Sequence, residues 1–163
     1  MSINAFRIVF FLALMLTGFV AHGATTGPLS VDVMAGFSSQ VAGGSGTTGA
    51  GGASVDYRFP NMIELGGEFT VGNGISQFAL EANYWLNDMW WVGLQAGPMS
   101  GSGISGFGYG PQFGFDAPIG DNWTLGPEIQ FQYANYSSGT NSNGGQFSTF
   151  FQPFAVLKYR FPN

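Results

Sequence analysis

The side chains able to do chemistry in this chain are few and mostly acidic. Nine Asp and Glu residues stand against four Lys and Arg, with one histidine, no cysteine and a formal net charge of −5. Asp32, Asp56, Glu64, Glu81 and Asp116, set against Arg58, Lys158 and Arg160, could build an ion-pair cluster, either as structural fill or as a gate on an ion path. A site working with carboxylates alone would draw on Glu64, Glu68 or Glu81. The histidine is His22, near the N-terminus, so the chain beyond it lacks the imidazole that Ser/His hydrolases use as general base and that metals favour as ligand. Without cysteine there is no disulfide framework, thiolate metal site or thiol nucleophile. Four cations spread over 163 residues form no basic patch for a nucleic acid.

Two glycine-rich stretches match phosphate-loop patterns in part and fail on context. Gly101-Ser102-Gly103-Ile104-Ser105-Gly106 has GxGxxG spacing, but an alternating Phe/Tyr/Gly strand follows where a helix is required. Residues 43–52 lack the lysine of a phosphate loop. The sequence therefore predicts no catalytic, cofactor-binding or metal-ligating residue, no cofactor, and no nucleic-acid partner.

The elements that must position the charges are strands. Only 8% of residues are charged, against roughly 25% in soluble domains. At the N-terminus, Arg7 precedes an apolar run over residues 8–20, and small residues follow at Ala21, Gly23 and Ala24. This is the three-part pattern of a secretory signal, too short for a membrane helix of about 20 residues. Residues 1–23 are read as a signal peptide, with Ala24 as the alternative cleavage point, and residues 24–163 as one domain.

From Leu29 onward apolar and polar residues alternate with the period of a strand. Eight runs result. Leu29, Val31, Val33, Ala35 and Phe37 oppose Asp32; Ala53, Val55, Tyr57 and Phe59 oppose Asp56 and Arg58; Ile63, Leu65, Phe69 and Val71 oppose Glu64 and Glu68. Phe78, Leu80, Ala82, Tyr84 and Leu86 oppose Gln77, Glu81 and Asn83, and Trp90, Val92, Leu94 and Ala96 oppose Gln95. Phe107, Tyr109, Pro111, Phe113, Phe115 and Ala117 oppose Gln112 and Asp116, and Trp123, Leu125, Pro127, Ile129, Phe131 and Tyr133 oppose Glu128, Gln130 and Gln132. The eighth is irregular: Phe151, Ala155, Leu157, Tyr159 and Phe161 oppose Gln152, Lys158 and Arg160, but Phe150, Phe154 and Val156 fall on the polar side. Pro111 and Pro127 each remove a ladder donor, which a bulge could accommodate.

Three-residue turns are expected at 60–62, 87–89 and 120–122, and Gly/Ser/Thr/Asn-rich loops at 43–52, 72–74, 98–103 and 137–146. Short turns at one rim and longer loops at the other are the pattern of outer-membrane barrels. A water-soluble barrel would put the apolar face inside and carry many Lys and Glu outside; here the polar face is mostly Gly, Ser and Gln, which suits the narrow interior of an eight-stranded barrel. Tyr57, Phe59, Tyr84, Trp90, Trp123, Tyr159 and Phe161 all fall near the short-turn rim or the C-terminus, where a membrane-interface aromatic girdle belongs. Pairing Phe59 with Ile63 sets Arg58 opposite Glu64, and closing the last strand on the first brings Lys158 and Arg160 toward Asp32. The pentapeptide Tyr57-Arg58-Phe59-Pro60-Asn61 recurs as Tyr159-Arg160-Phe161-Pro162-Asn163, through duplication or because two strands ending at one rim need the same residues.

On this alternation, turn asymmetry and terminal Tyr159-Arg160-Phe161, residues 29–161 resemble the small eight-stranded outer-membrane β-barrels, the group of OmpA-type transmembrane domains, OmpX-like and opacity-type proteins. The resemblance implies an all-β, antiparallel up-and-down transmembrane barrel in the bacterial outer membrane, surrounded by lipid and lipopolysaccharide and served by the barrel-assembly machinery. It implies a structural or surface role; the missing histidine and cysteine argue against enzymatic activity, and a monomer is expected. A narrow channel for ions or small solutes, or surface binding through the loops, are the alternatives.

Overall fold

The computed structural model describes residues 28–101, 103–138 and 141–162. The expected signal peptide and Asn163 of the second pentapeptide lie outside them. Among the described residues nine strands follow one another: β1 (Leu29–Ala42), β2 (Gly46–Arg58), β3 (Ile63–Gly72), β4 (Ile75–Trp85), β5 (Trp90–Gly101), β6 (Ile104–Phe115), β7 (Ala117–Pro118), β8 (Trp123–Ser138) and β9 (Asn141–Arg160). Strands β6 and β7 both pair with β8 and are two pieces of one stave, so the barrel has eight staves. Every pairing is antiparallel, neighbours in sequence are neighbours in the sheet, and β1 closes on β9. Closure leaves no free sheet edge through the body of the barrel.

The alternation sets which way each side chain points. Along β4, Gln77, Ala79, Glu81, Asn83 and Trp85 are buried while Phe78, Leu80 and Tyr84 are exposed. Outward Leu80 and Leu94 are 67% and 65% exposed, whereas inward Glu64 and Gln130 are 0% exposed. The barrel is thus apolar outside and polar inside. The irregular positions of the eighth run follow the same parity: Phe150, Phe154 and Val156 point inward and are buried.

The three short turns have one construction. Backbone amides of Phe59, Leu86 and Ile119 donate to the carbonyls of Ile63, Trp90 and Trp123 at 2.7, 2.8 and 2.9 Å, each bracketing three residues. Asn87 Oδ1 further accepts the amides of Met89 and Trp90, a side-chain turn that short polar residues supply. At the opposite rim, Asn73 and Gly74 both take positive φ, 54° and 70°, and link β3 to β4 as a two-residue hairpin turn.

The other expected loops are shorter than their composition suggested. The ladder of β1 and β2 runs on through Phe37↔Gly49 to Gln40↔Gly46, β5 and β6 pair as far as Gly101↔Ile104, and β8 and β9 pair up to Ser138↔Asn141. Ladder bonds are made by the backbone, so Gly, Ser and Thr remain in the strands as long as the neighbouring strand continues. The result is a rim of tall hairpins, with bulges at Gln40/Ala42 and Tyr136/Ser138.

No bulge accompanies the two prolines. The β6 to β8 register is the same on either side of Gly110 and Pro111, which take no partner on β8. Pro127 lies opposite the break between β6 and β7. The missing N–H of each therefore falls where that seam makes no bond. Gly126 is required beside the break, since a Cβ there would overlap the Phe115 carbonyl.

Candidate functional site

The charged interior divides into two levels. At the short-turn end, Lys158 reaches inward from β9 and its Nζ lies 3.1 Å from Asp32 Oδ2, 3.3 Å from Glu64 Oε1 and 3.5 Å from Asp116 Oδ2. Arg160 adds contacts of 3.5 Å to Glu64 and 3.7 Å to Asp116. These acids come from β1, β3 and the β6–β7 break, so the cluster ties staves across the interior.

This floor is built around an indole that the sequence reading left out. Trp85, the last residue of β4, is almost fully buried, and the charged ends of Arg58, Arg160 and Lys158 lie 4.1, 4.8 and 5.5 Å from its ring centroid. Such positions over an aromatic face are attractive because of the ring quadrupole. Trp91, first inward residue of β5, donates from Nε1 to Asp116 at 3.3 Å. Strict parity identifies both tryptophans as inward, since Asn83 and Gly93 share their faces; the apolar character of tryptophan conceals it.

The expected facing of Arg58 and Glu64 is present in the register but makes no ion pair within 4.0 Å. Glu64 is engaged by Lys158 and Arg160 instead, and the half-buried Arg58 stacks on Trp85 and donates to Met62 Sδ at 3.6 Å. Asp56 and Glu81, expected in the same cluster, make no ion pair with its cations within 4.0 Å.

They belong to a second level made of carboxylates and amides. Gln112 Nε2 donates to Glu81 Oε2 at 2.7 Å and Asn83 Oδ1 at 2.9 Å, and Asn83 donates to Glu81 at 3.3 Å. Gln130 Nε2 bridges Glu68 Oε2 and Glu128 Oε1, both at 2.7 Å, while its own oxygen accepts from Gln95 at 3.0 Å. Ser54 donates to Asp56 at 2.9 Å. Glu68, Glu128 and the three glutamines were legible as polar-face residues, but their convergence was not. Among the described residues no three His, Cys, Asp or Glu side chains form a metal-holding group.

Apolar packing completes the fill. Met34, Phe154 and Val156 cluster on the β1 and β9 side, and Met99, Ala134 and Phe150 form another cluster with Ile75 and Tyr136. Outside, the aromatics expected at the interface ring the short-turn rim. Tyr57 pairs with Phe59 at 4.9 Å between ring centroids, Trp123 with Tyr159 at 4.8 Å, Tyr159 with Phe161 at 5.1 Å, and Trp90 with Phe115 at 4.7 Å. Tyr84 is exposed on the same rim.

No family model matches the sequence, and no curated protein matches it significantly. Among solved structures, Neisserial surface protein A aligns with a TM-score of 0.62 at 14% identity, covering 82% of this chain and 96% of that one. Outer membrane protein AlkL aligns at 0.47 and 13% identity over 88% of this chain and 94% of its own, and the KdgM porin at 0.35 and 14% over 81% and 99%. The last two overlap too loosely to carry an argument. The chain shares the fold of the small outer-membrane β-barrels, a closed up-and-down barrel of eight antiparallel staves.

Proposed function

We propose that the chain is an integral outer-membrane barrel with a closed, side-chain-filled interior and a structural or surface role that involves no catalysis. The observation that carries this reading is the inversion of the barrel: uncharged Leu, Val, Phe, Tyr and Trp outside, and buried, mutually bonded polar groups inside. Such an outer face is stable against lipid, where every backbone group must be paired within the barrel. Lipid and lipopolysaccharide are then its surroundings, the assembly machinery its partner in biogenesis, and a monomer its working form.

The filled interior favours a plug over a narrow channel. The ion pairs of the floor and the amide bonds above it occupy the cross-section, and their members are buried. Single-channel recording of the purified protein in planar bilayers tests this. The plug gives no stable conductance; a steady conductance lost on Arg58→Ala overturns it in favour of a gated path.

A further inference from the structure

The floor and the level above it differ in charge balance. Seven carboxylates are buried among the described residues, and all the ion pairs within 4.0 Å go to Asp32, Glu64 and Asp116. Asp56, Glu68, Glu81 and Glu128 are buried without a cation in that range. An uncompensated carboxylate away from water is expensive, and hydrogen bonds from neutral amides offset only part of the cost.

A second observation is independent of the acids. The amide oxygens of Gln95 and Gln112, residues 2% and 1% exposed, receive no hydrogen bond from any described group. Their orientation is fixed. Turning Gln112 over would set its oxygen against oxygens of Glu81 and Asn83, and turning Gln95 over would set its oxygen against that of Gln130. One oxygen each of Glu68 and Glu81 also lacks a donor. In the register Glu81 faces Gln95 across β4 and β5, and Gln112 faces Gln130 across β6 and β8. The level thus holds four buried oxygens without a donor, although each of its amide nitrogens already donates.

We propose that this level, centred on Glu68, Glu81, Gln95 and Gln112, binds a compact monovalent cation inside the closed barrel, either a proton shared between carboxyls or an alkali metal ion. The chemistry is common to both: a small positive charge taken up by carboxylate and amide oxygens. The charged groups facing it are Asp56 on β2, Asp32 on β1, Glu128 on β8, Lys158 on β9 and Asp116 at the β6–β7 break; β5 and β6 offer Gln95 and Gln112.

Thermal unfolding of the purified barrel in detergent, followed by tryptophan fluorescence, distinguishes the sources. Sodium chloride is compared with N-methylglucamine chloride at equal ionic strength, and in the latter the pH is lowered. A metal site raises the midpoint in sodium, and each tenfold increase in sodium beyond saturation raises the folded-to-unfolded ratio about tenfold. A proton site raises the midpoint on acidification by the same linkage, because the folded state then binds more protons. Acid acts in the opposite sense on the floor, whose carboxylates lose their ion pairs, so a rise identifies the level above. E68Q and E81Q each weaken the dependence, with E128Q as the substitute if either fails to fold, while E64Q retains it. A wild-type midpoint indifferent to both sodium and acid, or a full response retained in E68Q and E81Q, overturns the proposal.

Discussion

Glu64 and Glu68 stand on the same face of β3, both buried, and meet opposite surroundings. Glu64 lies against Lys158 and Arg160, with Trp85 beneath the same cations. Glu68, further along the strand, receives one amide bond from Gln130 and faces other carboxyls. The difference arises from which staves lean in at each height: β9 carries both strong cations at its end, whereas β5, β6 and β8 contribute glutamines higher up. One face of one strand thus supports both a charge-compensated floor and a level short of positive charge.

The comparison breaks most sharply at Lys158. Lys158→Met leaves Asp32 without an ion pair and Glu64 and Asp116 with Arg160 alone, and removing one partner of a buried pair costs ~3–5 kcal/mol. Denaturant titration of the folded barrel measures that loss. Outside the same wall, Leu94→Arg, next to the inward Gln95, places a cation on the lipid face at ~2–4 kcal/mol, read as a lower unfolding midpoint in bilayers.

In the level above, Gln130→Leu removes the donor shared by Glu68 and Glu128 and costs ~1–3 kcal/mol, again by denaturant titration. A loss as large as that of Lys158→Met would show that the two levels depend equally on their central donor. The smallest effect is expected at Arg58, half-buried and held by Trp85: Arg58→Met costs ~0.5–1 kcal/mol in the same assay.

Strand parity made most of the barrel legible, because inside and outside alternate residue by residue and each acid in question lies on the polar face. The three short turns followed from the same parity. Partner choice was not legible. Lys158 and Glu64 are 94 positions apart and Gln130 and Glu68 are 62 apart, so their contact depends on barrel closure and stave tilt. Trp85 was hidden by its type, and Phe150, Phe154 and Val156 looked like errors in a strand when they are interior fill. The tall hairpins were hidden by composition, since Gly, Ser and Thr mark turns in isolation but continue a ladder when a partner strand runs beside them.

A closed barrel with its apolar face in lipid should be an integral membrane protein. Membrane fractionation combined with gel migration of unheated and boiled samples tests this most directly. The expected result is a protein released from membranes only by detergent, whose band shifts on boiling as the folded barrel opens. A water-soluble monomer with one mobility in both lanes would contradict it.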